Sequence, residues 1–295
     1  MSFKSGFVAI VGEPNAGKST LLNQLLGQKL CIVTPKIQTT RHRILGIYTT
    51  ETCQIVFSDT PGVLQPKYAL HEAMMKFVYE SLSDSDVILW LIDGETMKIT
   101  PEIQDKVKQS QKPCLLILNK IDSFSSEETT RKVDELHKFL PDYEILPVSG
   151  LAGIHTEFIL KKVEQLLPEG PLYFDSDQLS DRNERFFVSE IIREKIFLRY
   201  AKEIPYSVEV IVNTFSFDEK SKKTHIQADI IVLRDTQKQI IIGEGGKAIK
   251  RIGILARQEI EKFIQSPVHL SLYIKVQPDW RNKKRTLKGF GYDVE

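Results

Sequence analysis

Apolar and polar residues come in alternating blocks along the first 170 positions. Five compact apolar runs, FVAIV (7–11), QIVFS (54–58), VILWLI (87–92), CLLIL (114–118) and EILPV (144–148), predict buried strands. Residues 18–27, 69–83, 101–111, 126–140 and 156–167 have the spacing of amphipathic helices, and Pro101 after Thr100 marks a helix start. This alternation predicts an α/β fold, a mostly parallel sheet with helices on both faces. Ligands of such sheets bind beyond the carboxyl ends of the strands. The residues that follow each strand are therefore the candidates for chemistry.

The pattern changes in PEGPLYFDSDQLSDRNER (168–185), whose Pro, Gly, Asp and Ser predict a linker. A helix is expected over 186–201, then strands over 207–215 and 224–234 joined by a turn at 218–223. An apolar run and a glycine loop follow, then a helix from near Lys247 to 264 and a last strand over 269–276. The expected organisation is a domain over 1–170, a linker over 171–185 and an α+β domain over 186–295.

The strand ends carry a coherent set of groups. After the first comes Gly12-Glu13-Pro14-Asn15-Ala16-Gly17-Lys18-Ser19-Thr20, which fits GxxxxGK[ST]. Glycines there let several backbone N–H groups converge on an anion, and the helix that follows adds its positive end. Lys18 is placed to reach β- and γ-phosphates, and Ser19 to ligate Mg²⁺. Asp59-Thr60-Pro61-Gly62 follows the second predicted strand. Its carboxylate suits the Mg²⁺ side of the site, and Gly62 brings an N–H to the γ-phosphate with no Cβ in the way. Asn119-Lys120-Ile121-Asp122 decides the base. A carboxylate at Asp122 accepts from guanine N1–H and the 2-amino group, whereas adenine would leave it unpaired. Asn119 is expected to tie this loop to the phosphate loop, and the Lys120 stem to cover the base. Ser149-Gly150-Leu151 offers backbone N–H groups to guanine O6.

These four stretches, in this order, resemble GTPases of the translation-factor-like class. The resemblance makes PKIQTTRHRILGI (35–47) switch I, with Thr40 as a second Mg²⁺ hydroxyl, and Lys18, Thr40 and Gly62 the groups around the transferred phosphate. Residues 33–43 and 59–66 would be the switching loops. Val63 stands where Ras-like proteins carry a water-orienting glutamine, so slow intrinsic hydrolysis is expected unless a cation or partner helps. Asn15 is a candidate K⁺ ligand, as in some relatives.

Composition separates the two halves. The 295 residues are 41% apolar and 27% charged, ordinary for a globular protein. The net charge of +1 hides 20 Lys+Arg against 25 Asp+Glu (net −5) in residues 1–185, and 20 against 14 (net +6) in 186–295. A basic back half points to a polyanionic partner. Ile242, Gly243, Glu244, Gly245 and Gly246, followed by Lys247, Lys250 and Arg251, form a GxxG loop opening a basic helix. This resembles the KH fold in its bacterial, type II order, whose loop clamps single-stranded RNA. Glu244 departs from that chemistry by placing a negative charge near the phosphates. The tail DWRNKKRTLKGFGY (279–292) suits RNA, anionic lipid, or packing of Trp280 on the domain.

Three separated cysteines, Cys31, Cys53 and Cys114, fit a reducing compartment without disulfides or a zinc cluster, and the six histidines form no ligand pair. VILWLI is too short to span a bilayer, and the first apolar run leads straight into the glycine loop. A cytoplasmic protein is expected. Taken together, TTRHR, SEIIREKI (189–196), IPYSVEV (204–210), IGEGGKAIKRIG and SPVHLSLYIKV (266–276) resemble the Era family of bacterial ribosome-assembly GTPases over nearly the whole chain. The resemblance implies GTP and GDP with Mg²⁺ as cofactors and the 3′ end of 16S rRNA in the 30S subunit as partner. It further implies a role in 30S assembly, peripheral inner-membrane association and a mainly monomeric state.

Overall fold

The computed structural model describes residues 2–294. They form two compact units. One runs up to Lys67 and includes His71–Asp181; the other joins Tyr68–Leu70 to the chain from Arg182 onward.

The first unit contains β1 (Lys4–Gly12), α1 (Lys18–Leu26), β2 (Ile44–Thr49), β3 (Cys53–Asp59), α2 (Ala69–Asp84), β4 (Val87–Asp93) and α3 (Pro101–Ser110). It continues through β5 (Cys114–Asn119), α4 (Ser126–Phe139), β6 (Glu144–Pro147) and α5 (Thr156–Leu166). The sheet order is β2-β3-β1-β4-β5-β6, and every neighbouring pair is parallel except β2–β3. β3 and β4 are buried along their whole length, which explains their unbroken apolar runs. Register aligns the strand ends: Asp59 lies opposite Ile10, and Asn119 opposite Asp93. The chemistry-bearing loops therefore emerge together on one edge of the sheet.

Two features depart from the pattern of the sequence. β2 was absent from the predicted strands. It is a short edge strand inside an otherwise polar segment, with no clean two-residue alternation. Residues 171–181, expected as the first part of a linker, instead lie against this sheet. Ile47 N donates to Leu179 O at 2.9 Å, Ser180 Oγ to Leu45 O at 2.6 Å and Gln54 Nε2 to Phe174 O at 2.9 Å. Gln54 Oε1 accepts from Tyr173 N at 2.8 Å. An edge strand exposes unpaired backbone groups, and this strap satisfies some of them. The units accordingly divide between Asp181 and Arg182.

The second unit contains α6 (Glu184–Arg199), the single turn α7 (Ile204–Ser207), β7 (Glu209–Asp218), β8 (Lys223–Val232), α8 (Asp235–Ile242), α9 (Lys247–Ile264), β9 (Val268–Val276) and α10 (Lys284–Gly289). Asn183 caps α6 by accepting from Phe186 N at 3.1 Å. β8 is central, antiparallel to β7 and parallel to β9. Val188, Ile192 and Ile196 of α6 and Ile252, Ala256 and Ile260 of α9 bury against Ile226, Ala228 and Ile230 of β8. The apolar stretch before the glycine loop is the helix α8, not merely an apolar run. Three consecutive isoleucines carry no periodicity that separates helix from strand. Trp280 is fully buried, and its Nε1 donates to Ser207 O at 3.1 Å. Of the three readings of the tail, packing describes this residue, while Lys283, Lys284, Arg285 and Lys288 remain exposed.

Candidate functional site

The loop between β1 and α1 curls around its own lysine. Lys18 Nζ donates to Gly12 O at 3.1 Å and to Glu13 O at 2.9 Å. Gly17, in the left-handed region at φ 93°, sits where a Cβ would lie 2.3 Å from Asn119 Nδ2. Only glycine permits that approach. Ala16, Ser19 and Thr20 complete the turn into α1.

Three oxygens meet beside it. Ser19 Oγ donates to Asp59 Oδ2 at 2.6 Å and lies 2.8 Å from Thr40 Oγ1, which is itself 3.4 Å from Asp59 Oδ2. Asp59 is fully buried, and its Oδ1 has no hydrogen-bond partner. Burial raises its pKa, opposed chiefly by the Ser19 hydroxyl. A hard, all-oxygen set around a desolvated carboxylate with a spare lone-pair oxygen fits Mg²⁺. Thr60 faces away, donating to Ile10 O at 2.9 Å. Pro61 leads into Gly62, whose Cα leaves no room for a Cβ: it would lie 2.7 Å from Pro14 Cα. Val63 packs in the core with Val11, Val78 and Leu82, so no polar side chain stands at that position.

Asn119 binds the loops together. Its Nδ2 donates to Ala16 O at 2.8 Å and its Oδ1 accepts from Gly150 N at 2.9 Å. Asp122, in the turn opened by Ile121, accepts from Ser149 Oγ at 2.5 Å, and Ser149 Oγ accepts from Ala152 N at 2.9 Å. Leu151 is exposed, leaving its loop accessible. Lys120, at φ 69°, pairs with Asp93 at 2.8 Å. A cleft of about 270 Å³ is lined by the phosphate loop, residues 32–36 and 38–40, Thr60, Gly62 and Lys120. Asn15 borders it and donates to Pro35 O at 3.1 Å. The structure thus brings Lys18, Ser19, Thr40 and Asp59 together and ties Gly150 to the phosphate loop through Asn119, whereas Thr60 turns away and Asp122, Ser149 and Leu151 lie outside the lining of the cleft. Pattern reading missed Asn23, whose side chain accepts from Leu30 N and Cys31 N and donates to Cys31 O. No sequence signal distinguishes it from other polar helix positions.

In the second unit, α8 and α9 flank the loop Gly243–Gly246. Gly243, Gly245 and Gly246 all have positive φ, and Glu244 and Gly245 are exposed at the tip. Ile242 ends α8; Lys247, Lys250 and Arg251 are exposed on the first turns of α9. Beside them lies a groove with an apolar floor of Ile249, Ile254, Leu270 and Leu272, edged by Lys250 and Arg257. The β9 residues of this floor were not foreseen, because only tertiary packing sets β9 beside α9.

A family model described as a 50S ribosome-binding GTPase matches residues 7–120, and a KH-domain model matches 203–281. The structure of Era in complex with MgGDPNP and nucleotides 1506–1542 of 16S ribosomal RNA is 40% identical, with a TM-score of 0.95 over 99% of this chain and 100% of that one. This chain belongs to the Era family of GTPases. An Aquifex aeolicus Era variant bound to GDP·AlF4⁻ is likewise 40% identical, with a TM-score of 0.94 over 99% of this chain and 100% of that one. The chain is therefore a GTPase joined to a type II KH domain.

One pH dependence follows from the buried lysine of this Era-family chain. Burial lowers the Lys18 pKa from 10.5 to about 8, opposed by the charges of Asp59 and Glu13. Between those values the unfolded chain holds more protons than the folded one. The cost of burying this cation is therefore full below the folded value and fades as pH rises toward the unfolded one. Phosphate binding needs the ammonium form. Nucleotide affinity measured by calorimetry is expected to weaken as pH rises from about 7 to about 9, and a flat profile would count against that role.

Proposed function

We propose that this protein is a GTP-driven switch that binds the 3′ end of 16S rRNA through its KH domain and assists assembly of the 30S subunit in the cytoplasm. The supporting observation is the pairing, in one chain, of a guanine-type phosphate site with a basic GxxG loop. The similarity to the Era–RNA complex over the full length supports small-subunit RNA; the family model's description names the large subunit but covers only residues 7–120.

In this reading Lys18 and the backbone N–H groups of the loop between Gly12 and Thr20, Pro14 excepted, hold the phosphates, and Ser19, Thr40 and Asp59 hold Mg²⁺. The metal, when bound, neutralises charge developing on the phosphates. Gly62 presents its N–H to the γ-phosphate, and loops 33–43 and 59–66 order around that group and relax when it leaves. Asp122, held by Ser149, reads guanine; Asn119 fixes the register of the base and phosphate loops. The Gly150 N–H is held by Asn119 Oδ1, so the N–H of Leu151 is the group of this loop that would meet O6, and the Lys120 stem would cover the base. Asp122→Asn is expected to shift preference from guanine toward xanthine nucleotides, whose C2 carbonyl cannot donate; competition binding with GDP and XDP measures it.

Gly243 to Gly246 admit the RNA backbone closely, with Lys247, Lys250 and Arg251 adding charge. Replacing Gly243 and Gly246 by Asp is expected to abolish binding of a 16S 3′-end oligonucleotide while leaving basal GTP turnover intact. Cross-linking in cells followed by sequencing of the attached RNA tests the partner. Recovery of other RNAs alone would overturn the ribosomal assignment.

Val63 supplies no water-orienting group, so help must come from elsewhere. Asn15, whose Nδ2 donates to Pro35 O, is the candidate ligand for a K⁺ ion in this reading. GTP turnover is expected to be faster in K⁺ than in Na⁺ at equal ionic strength; equal rates would remove this part of the proposal. Among the described residues no helix is long and apolar enough to cross a membrane. The exposed Lys283, Lys284, Arg285 and Lys288 provide charge for peripheral contact with the inner membrane by a mainly monomeric protein.

A further inference from the structure

The turn after β4 carries charges that the nucleotide reading leaves unused. Asp93 Oδ1 accepts from Glu95 N at 2.8 Å, Asp93 O accepts from Met97 N at 2.8 Å, and Met97 adopts φ 51°. This folds the chain back, and Lys98 Nζ reaches Glu13 Oε2 at 3.1 Å. Glu13 is the second residue of the phosphate loop and is only 9% exposed. Its other carboxylate oxygen, Oε1, is buried without a hydrogen-bond partner. The backbone carbonyl of Glu13 accepts from Lys18 Nζ. A carboxylate thus rides on the loop that must receive a polyanion, next to the lysine that must grip it.

Such a group opposes phosphate binding in two ways. It repels the incoming charge, and it competes for the Lys18 ammonium; in a desolvated loop neither effect is fully screened. Lys98 answers both. Its support is firm at the other end of the turn: Lys120 Nζ pairs with Asp93 at 2.8 Å and with Glu95 at 3.6 Å. Lys132 Nζ donates to Gly94 O at 2.8 Å, and Gly94 N donates to Asn119 O at 2.9 Å. The turn is anchored on the base-reading loop and extends its cation to the phosphate loop.

We infer that Lys98 is a positioning residue for nucleotide binding: by pairing with Glu13 it cancels a carboxylate on the phosphate loop and leaves Lys18 to the phosphates. This rests on the reading of that loop as a guanine-nucleotide site. Because Lys98 is 66% exposed, the effect is moderate. It should grow with ligand charge, so a triphosphate feels it more than a diphosphate.

Calorimetry on the full chain with GDP and with a non-hydrolysable GTP analogue tests it. Lys98→Ala is expected to weaken analogue binding about three- to fivefold and GDP binding less. Lys98→Arg should retain wild-type affinity. Adding Glu13→Gln to Lys98→Ala should restore analogue binding, since the carboxylate that needed cancelling is gone. Thermal unfolding without nucleotide is recorded for each variant; a merely structural role would lower the midpoint and weaken both nucleotides alike. Unchanged analogue affinity in Lys98→Ala, or a loss that Glu13→Gln leaves in place, overturns the inference while wild-type binding keeps the nucleotide reading standing. A wild-type chain that binds neither nucleotide overturns both.

Discussion

The amide of Asn119 spans three segments with two hydrogen bonds, one to the carbonyl of Ala16 and one from the N–H of Gly150, and it presses on Gly17 so closely that no Cβ fits between them. Asn119 is buried, so each lost bond would strand a polar group at a cost of about 1–3 kcal/mol. The phosphate loop, the base-reading loop and the loop after β6 are therefore one rigid object. Neither loop can move without breaking a contact to the other.

Around that object the charges are desolvated and counterpoised. Lys18 and Asp59 are both buried, and burial opposes the charged form of each. Within the loop Gly12 O and Glu13 O accept from the ammonium, and Ser19 and Thr40 donate to the carboxylate. A phosphate–metal pair offers both groups stronger partners in the same low-dielectric setting. Glu13 adds a further negative charge to the balance, and Lys98 offsets it.

Much of this was legible in the chain. β3, β4 and β5 are buried on both faces, so their apolar runs are unbroken and their ends are marked by Asp59, Asp93 and Asn119. Helix starts announced themselves through Pro101 and through Lys18 after the glycine. The basic half pointed to a polyanion through its charge, and RNA entered through the resemblance of its glycine loop and element order to the KH fold. β2 and α8 were harder. The first is an edge strand whose partner on one side is the strap at 171–181, and the second begins a helix–loop–helix with three isoleucines that fit either period. Polar composition made the strap look like linker, although its backbone and Ser180 engage β2 directly and Gln54 holds its Tyr173–Phe174 end.

The sequence by itself determined which groups were candidates: local spacing shows a GxxxxGK[ST] loop, a carboxylate at position 122 after a strand and a GxxG loop before a helix, because each is built from residues near one another in the chain. Only the tertiary structure decided which distant groups answer them. Thr40 reaching Ser19 and Asp59, Lys98 reaching Glu13, Ser149 holding Asp122 and Trp280 seated against Ser207 depend on strand register and loop packing. Those contacts join residues separated by 19 to 85 positions, and no periodicity along the chain encodes such a distance.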